Sequence, residues 1–202
     1  PWDRPSVDVL VDYGVPALKI ASADLTNHDL IRYAASSGTP LVLSTGMSTE
    51  AEISHTVEVL RETGTAYALL HCQSTYPAPF KDVNLAYLPR LAEIGRCPVG
   101  YSGHERGFHV PLAAIALGAR IIEKHFTLDK SMEGNDHKVS LLPGEFSEMV
   151  DRVRELEEAI GLPAPREVST GEMMNRVNLA RSLVAARDIE VGEVLSESDL
   201  AI

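Results

Sequence analysis

The chain has 202 residues, 45% of them hydrophobic and 23% charged, with a formal net charge of −11. That apolar content excludes wholesale disorder, and the length allows one sizeable domain or one and a half. The acidic balance argues against nucleic acid as a partner, and no apolar run approaches a membrane span or reads as a signal peptide.

Two cysteines, Cys72 and Cys97, are too few for a disulfide framework. A reducing, cytoplasmic setting is therefore expected, with Cys72 a small buried side chain at the end of an apolar run. Pro1-Trp2-Asp3 reads like the end of a strand already in progress, and the chain like a segment of something longer. Residues 6–14 predict a short amphipathic helix with Ser6 as N-cap and Gly14 as the stop. A strand over 17–21 follows, then a helix from Asn27 or Asp29 to Gly38, and a strand over 41–45. Ser48 or Thr49 caps a helix whose Ile53, Val57 and Leu60 share one face. The strand 66–72 leads into a loop over 73–82 and a Pro-interrupted helix over about 84–94. The strand 98–102, helix 109–117, strand 120–126 and helix 145–160 complete the run. The last helix carries an apolar stripe of Phe146, Met149, Val150, Val153 and Ile160.

Short Val-, Ile- and Leu-rich strands, each followed by a helix, predict an α/β protein with a parallel sheet. Both a (β/α)8 TIM barrel and an open doubly wound sheet fit. No GxGxxG follows any strand, which weakens the dinucleotide-binding version. Polar residues instead follow every strand, which is the behaviour of a barrel rim. Residues 1–161 form this part. Residues 162–178 contain two prolines and no period, which reads as a linker. Residues 179–202 begin a second, β-rich unit, too short to bury a core.

The stretch from Gly100 to Lys138 organises the rest. His104 lies just past one predicted strand and His125 near the end of the next. Parallel neighbours would bring these ends side by side, on the order of 5 Å apart. Two imidazoles there can share a divalent metal; the alternative is a pair of hydrogen-bonded structural histidines. Asp136 and His137 follow on a polar loop. Lys19 lies within a strand, where it either pairs with an anion or snorkels to solvent. Ser22, Ser44 and Ser102 end strands at the same rim, as anion donors or as helix caps. Glu123 shares parity with His125 and should point inward, toward a ligand or Lys19.

The segments KIASAD (19–24), STGMS (44–48), LHCQSTYPAP (70–79), GYSGHE (100–105), EKHFTLDK (123–130) and GNDHKVSLLPGEF (134–146) resemble the sialic acid synthase family. ARSLVAARDI (180–189) is similar to the opening of that family's antifreeze-like SAF domain, so residues 179–202 are expected to begin one. GYSGHE with GNDHKVSL is similar to the N-acetylneuraminate-type synthases. The resemblance implies a (β/α)8 barrel of which this chain holds the fourth to eighth strands, with a small C-terminal domain that covers the partner's site in a homodimer. It implies condensation of phosphoenolpyruvate with N-acetylmannosamine or a related N-acetylated amino sugar, releasing phosphate. Legionaminic, pseudaminic and spore-coat sugars are the alternatives, and a non-catalytic sugar-binding barrel is a further one. It implies a divalent metal, Mn2+ foremost with Mg2+ or Co2+ as alternatives, on His104 and His125. Lys19, Ser22, Ser44 and Ser102 would hold the phosphate. Ser74 stands where the family often has Asn, and Asp24 where many members have Glu; both are expected to bind substrate. Asp136 would bind sugar hydroxyls, and Tyr76 would lie against the sugar or its N-acetyl group.

Overall fold

The computed structural model describes residues 1–202, which divide into two compact units, Pro1–Gly161 and Leu162–Ile202. The first unit opens on α1 (Arg4–Tyr13). Its N-cap is Asp3 rather than Ser6: the Asp3 carboxylate accepts from the Ser6 N–H at 2.8 Å. Pro5 suits the first turn, where no N–H is needed, so the helix starts earlier than an Ser6 cap would allow. Gly14 ends it at φ 79°, a left-handed conformation that costs glycine little.

Five strands follow: β1 (Leu18–Ile20), β2 (Leu41–Ser44), β3 (Tyr67–Cys72), β4 (Val99–Gly103) and β5 (Ile122–Lys124). Each pairs in parallel with the next in sequence, leaving β1 and β5 as edges. The connections carry α2 (His28–Ser36), α3 (Glu50–Thr63), α4 (Phe80–Val83), α5 (Leu88–Gly95), α6 (His109–Ala116) and α7 (Pro143–Ile160). Asn27 caps α2, and Thr49 caps α3 in a reciprocal box with Glu52. This is a mixed α/β fold with a five-stranded parallel sheet, consistent with part of a TIM barrel.

Alternation along the strands separates two chemistries. Leu18, Ile20, Leu41, Leu43, Leu69, Val99 and Tyr101 face the helices and pack with Ile31, Ile53, Val57, Leu60, Leu88 and Leu91 in one core. The opposite face carries Lys19, Ser44, Cys72, Ser102 and Glu123. The apolar layer is thus one-sided at the strand ends, and the polar side chains gather on the other side.

Three boundaries differ from expectation. The helix expected over about 84–94 is instead a 3-10 turn over Leu85–Tyr87 followed by α5, and Asn84, at φ 50°, separates it from α4, which falls at the end of the expected 73–82 loop. Asn tolerates that conformation, and Pro89 then fits the first turn of α5. The strand expected over 120–126 pairs only from Ile122 to Lys124, after which Phe126 bridges Leu141 in parallel. Helix α7 starts at Pro143, and of its expected stripe Met149 is buried while Val150 and Ile160 are exposed.

In the second unit, part of the stretch expected to be a linker is helical. α8 (Thr170–Leu179) starts on Ser169, whose hydroxyl accepts from the Glu172 N–H at 3.2 Å while the Glu172 carboxylate accepts from the Ser169 N–H at 3.1 Å. This Ser-x-x-Glu capping box is a local start signal that overrides the missing apolar period. β6 (Val184–Ala185) and β7 (Leu200–Ala201) pair antiparallel. Arg187 ties the hairpin together, donating to Asp199 at 2.7 Å and to Glu193. No helix of either unit is long and apolar enough to cross a membrane.

Candidate active site at the C-terminal ends of the strands

A cleft of about 380 Å³ opens at the C-terminal ends of the strands in the first unit. Lys19, Ser22, Ser44, Ser74, Tyr76, Ser102, His104, His125 and Asp136 all line it, together with Trp2, Met47, Cys72 and Glu123. Its floor is a hydroxyl-rich cradle. The Ser22 hydroxyl accepts from the Gly46 N–H at 3.1 Å and sits 3.5 Å from the Cys72 sulfur, which is 3.7 Å from the Ser74 hydroxyl. The Ser44 hydroxyl is buried with no protein partner. An orphaned buried hydroxyl is costly, and a bound anion would satisfy it.

Lys19 supplies the cation beside this cradle. Its ammonium donates to the Ile20 carbonyl at 2.8 Å and lies 3.7 Å from Glu123. Burial pushes its pKa down, and the Glu123 carboxylate acts in the other direction. Glu123 is fixed from the opposite side by the Ser102 hydroxyl at 2.7 Å. The β4–β5 register makes Ser102 and Glu123 direct neighbours. The inward pairing expected of Glu123 is therefore realised.

His104 and His125 stand edge-to-face with ring centroids 5.0 Å apart. His104 Nδ1 faces the Gln73 carbonyl at 2.8 Å; a carbonyl only accepts, so Nδ1 carries the proton and Nε2 is left as a free lone pair. The Cys72 sulfur is 3.6 Å from the same nitrogen. Burial pushes His104 toward its neutral form, but the Cys72 and Gln73 contacts outweigh it and raise its pKa. Burial and the neighbouring His104 push His125 below its ordinary value. Burial alone would raise the Cys72 thiol; hydrogen bonds from His104 and Ser22 reverse this and hold it lower. The pair is a donor set that suits a borderline divalent ion with open positions for oxygen ligands. No group of three or more His, Cys, Asp or Glu side chains is placed to hold an ion, so any ion here would have the two imidazoles as its nearest donors.

The rim is built by two loops. The Ala78 N–H donates to the His104 carbonyl at 3.0 Å, which brings the Tyr76 ring to 4.1 Å from His104 and 5.7 Å from His125 between centroids. Tyr76 remains 40% exposed, leaving a face free toward the cleft. The long polar loop is pinned where the Leu141 N–H donates to the His125 carbonyl at 2.8 Å and the Thr127 N–H to the Leu141 carbonyl at 3.0 Å. This places Asp136 with a carboxylate oxygen 3.9 Å from His125 Nδ1.

Asp24 is the exception among the expected site residues. It does not line the cleft; Asn27 donates to one of its oxygens at 3.0 Å, and the other is buried without a partner. Ser22 and Asp24 lie on a 3-10 turn, where residues two apart point about 240° from each other, whereas on a strand they would share a face. Cys72 and Gly46 were missed. Strand alternation from Ser102 through its register partner Cys72 is the cue that places the thiol in the cleft rather than in the apolar core.

The sequence profile of the NeuB family matches residues 1–164. The chain belongs to the NeuB family. Among NeuB-related proteins, an uncharacterized protein of Methanocaldococcus jannaschii is 46% identical over 208 residues, 100% of this chain and 60% of that one. The N,N′-diacetyllegionaminic acid synthase of Campylobacter jejuni is 42% identical over 203 residues, 99% of this chain and 60% of its own length. The crystal structure of the N-acetylneuraminic acid synthetase of Leptospira borgpetersenii, in complex with citrate, matches with a TM-score of 0.80 at 36% identity, covering 90% of this chain and 65% of that one. This NeuB chain thus spans about 60% of the length of the curated relatives it matches.

Proposed function

We propose that this NeuB-family chain carries part of the active site of a synthase that condenses phosphoenolpyruvate with an N-acetylated amino sugar and releases phosphate. The observation that carries the reading is the placement of a cation-and-hydroxyl cradle beside two adjacent imidazoles in one cleft. Lys19, Ser22, Ser44 and Ser74 hold the phosphate. Ser102, expected beside them on the phosphate, donates its hydroxyl proton to Glu123 and so acts through that carboxylate, holding it against Lys19. His104 and His125 would hold a divalent ion, Mn2+ in the first place, and that ion would supply electrophilic polarisation of the sugar's aldehyde oxygen. Asp136 accepts from sugar hydroxyls, and Tyr76 packs its open face on the sugar or its acetamido group.

The reaction balances with these parts. The CH2 carbon of phosphoenolpyruvate bonds to the aldehyde carbon, water adds at the phosphate-bearing carbon, and the C–O bond to phosphate breaks. The residues of this chain neutralise the departing phosphate and hold both reactants in line, which is where positioning and electrostatics act.

The sugar is N-acetylmannosamine or a related N-acetylated amino sugar. The 42% identity to a relative named N,N′-diacetyllegionaminic acid synthase supports a diacetamido hexose as the second reading. Full-length protein assembled as a homodimer is the expected working form. Phosphate release from phosphoenolpyruvate, measured across mono- and diacetamido hexoses with and without Mn2+, tests the proposal. Release that needs both an amino sugar and the ion is the expected result, and no sugar-dependent release with any acceptor would refute it.

A further inference from the structure

Behind the two imidazoles, on the helix side of the sheet, lies a fully buried ion pair that the cleft does not use. Glu105 follows His104 in sequence, and Lys124 precedes His125. Unlike the histidines beside them, neither lines the cleft. Both side chains are 0% exposed, and their charged atoms are 3.1 Å apart. The other Glu105 oxygen accepts from the Tyr101 hydroxyl at 2.5 Å. Lys124 also donates to the Gly103 carbonyl at 3.3 Å and to the Glu105 carbonyl. Three ammonium protons thus meet three acceptors, which is the full capacity of a lysine.

Taking both charges out of water costs heavily, and an apolar pair of similar volume is often as stable. Stability therefore does not account for the arrangement, whereas geometry does. The Lys124 ammonium bonds the carbonyls of the residues on either side of His104, while its own backbone leads directly into His125. Room for this is built in: a Cβ on Gly103 would lie 2.8 Å from both Glu105 carboxylate oxygens and 2.8 Å from the Tyr101 ring. On the cleft side the Ser102–Glu123 hydrogen bond of 2.7 Å ties the same two segments one residue earlier. The two ties, on opposite faces, leave the imidazoles little freedom to separate.

We propose that Glu105 and Lys124, supported by Tyr101, are positioning residues that fix the spacing of His104 and His125 and thereby set the cation affinity of the site. This rests on the reading of the two histidines as cation ligands. The test measures Mn2+ binding by electron paramagnetic resonance on full-length protein, without substrate. Partners that orient ligands are typically worth about 10–100-fold in metal affinity. Glu105→Gln/Lys124→Met removes both charges together and is expected to unfold cooperatively yet bind Mn2+ at least about tenfold more weakly. Binding of inorganic phosphate, which uses the cradle around Lys19, is expected to be unchanged on the same sample, an outcome that general loss of structure would not give. A folded double variant with parental Mn2+ affinity overturns the clamp. If that variant does not fold, Tyr101→Phe decides: it keeps the ring, deletes one donor to Glu105, and is expected to weaken Mn2+ binding, whereas parental affinity overturns the proposal. His104→Ala is measured alongside; parental Mn2+ affinity there overturns the histidine reading itself, and the clamp with it.

Discussion

Replacing Gly46 by Ala adds one carbon to the most crowded point of the cleft floor. A Cβ there would lie 2.1 Å from the Ser74 hydroxyl, 2.8 Å from the Ser22 hydroxyl and 3.1 Å from the Cys72 sulfur. Oxygens and carbon cannot approach that closely, so both hydroxyls must turn away. The backbone itself has no need of glycine, since Gly46 is not among the residues at positive φ. The fold therefore survives, losing about 1 kcal/mol with the Gly46–Ser22 hydrogen bond. The ligand loses more. A hydrogen bond to a charged group is worth about 1.5–3 kcal/mol, so displacing two hydroxyls from a phosphate costs at least about 3 kcal/mol, or roughly 100-fold in Kd. Ser74→Ala alone removes one hydroxyl and costs about tenfold on the same scale. Because Ala at position 46 has already displaced Ser74, Gly46→Ala/Ser74→Ala binds no more weakly than Gly46→Ala, well short of the product of the single effects. Calorimetric titration of phosphoenolpyruvate into the full-length parent and the three variants, with thermal unfolding as the control, measures the cycle. A folded Gly46→Ala protein with parental affinity would refute the assignment of the cradle.

His104→Ala and His125→Ala in full-length protein are expected to abolish turnover while leaving the fold intact; either variant turning over at the parental rate in the presence of a chelator refutes the metal role. Asp136→Asn raises the sugar KM or lowers kcat and leaves phosphoenolpyruvate affinity unchanged, so calorimetry showing that affinity lost contradicts its place on the sugar side. Burial depresses the Lys19 pKa and Glu123 opposes this. If Lys19 holds phosphate as proposed, its protonated form does so, and affinity is expected to fall as pH rises through a midpoint below that of free lysine. Glu123→Gln removes the opposing carboxylate and moves that midpoint lower still, and an unmoved midpoint in a pH series of affinities counts against the pairing.

Much of the fold was legible because each βα unit carries its own local cues. Gly14 and Gly64 mark helix ends in left-handed conformations, and Thr49 with Glu52 marks a start. The shared parity of Glu123 and His125 also pointed Glu123 inward, where it meets Lys19. What escaped depends on geometry that changes period within a residue or two. Asp24 was expected to bind substrate, but the chain leaves its strand at Ile20 and turns through a 3-10 segment that points Asp24 away from Ser22 and the cleft. Cys72 is buried as expected, but register with Ser102 turns its sulfur toward the cleft, a placement its apolar run does not reveal. The Glu105–Lys124 pair has no sequence period at all, since it joins two segments across the sheet. The start of α8 was available in Ser169 and Glu172, but a capping box is a weak cue when no apolar stripe follows it.

The strictly sequential order of the sheet has a consequence for how the chain comes to be folded. Leu18 lies beside Leu41, Leu41 beside Tyr67, Leu69 beside Val99, and Tyr101 beside Ile122, so each of β2 to β5 docks on the strand made just before it. Among β1 to β5 each pairing joins strands adjacent in sequence, so loop closure between them stays short. On a ribosome, where synthesis runs at about 5–20 residues per second, each βα unit can settle before the next has emerged. Its newest edge then serves as the template for the following strand. The cleft fills in the same order: Lys19, Ser22 and Ser44 come with β1 and β2, and His104, His125 and Asp136 follow with β4, β5 and the loop beyond.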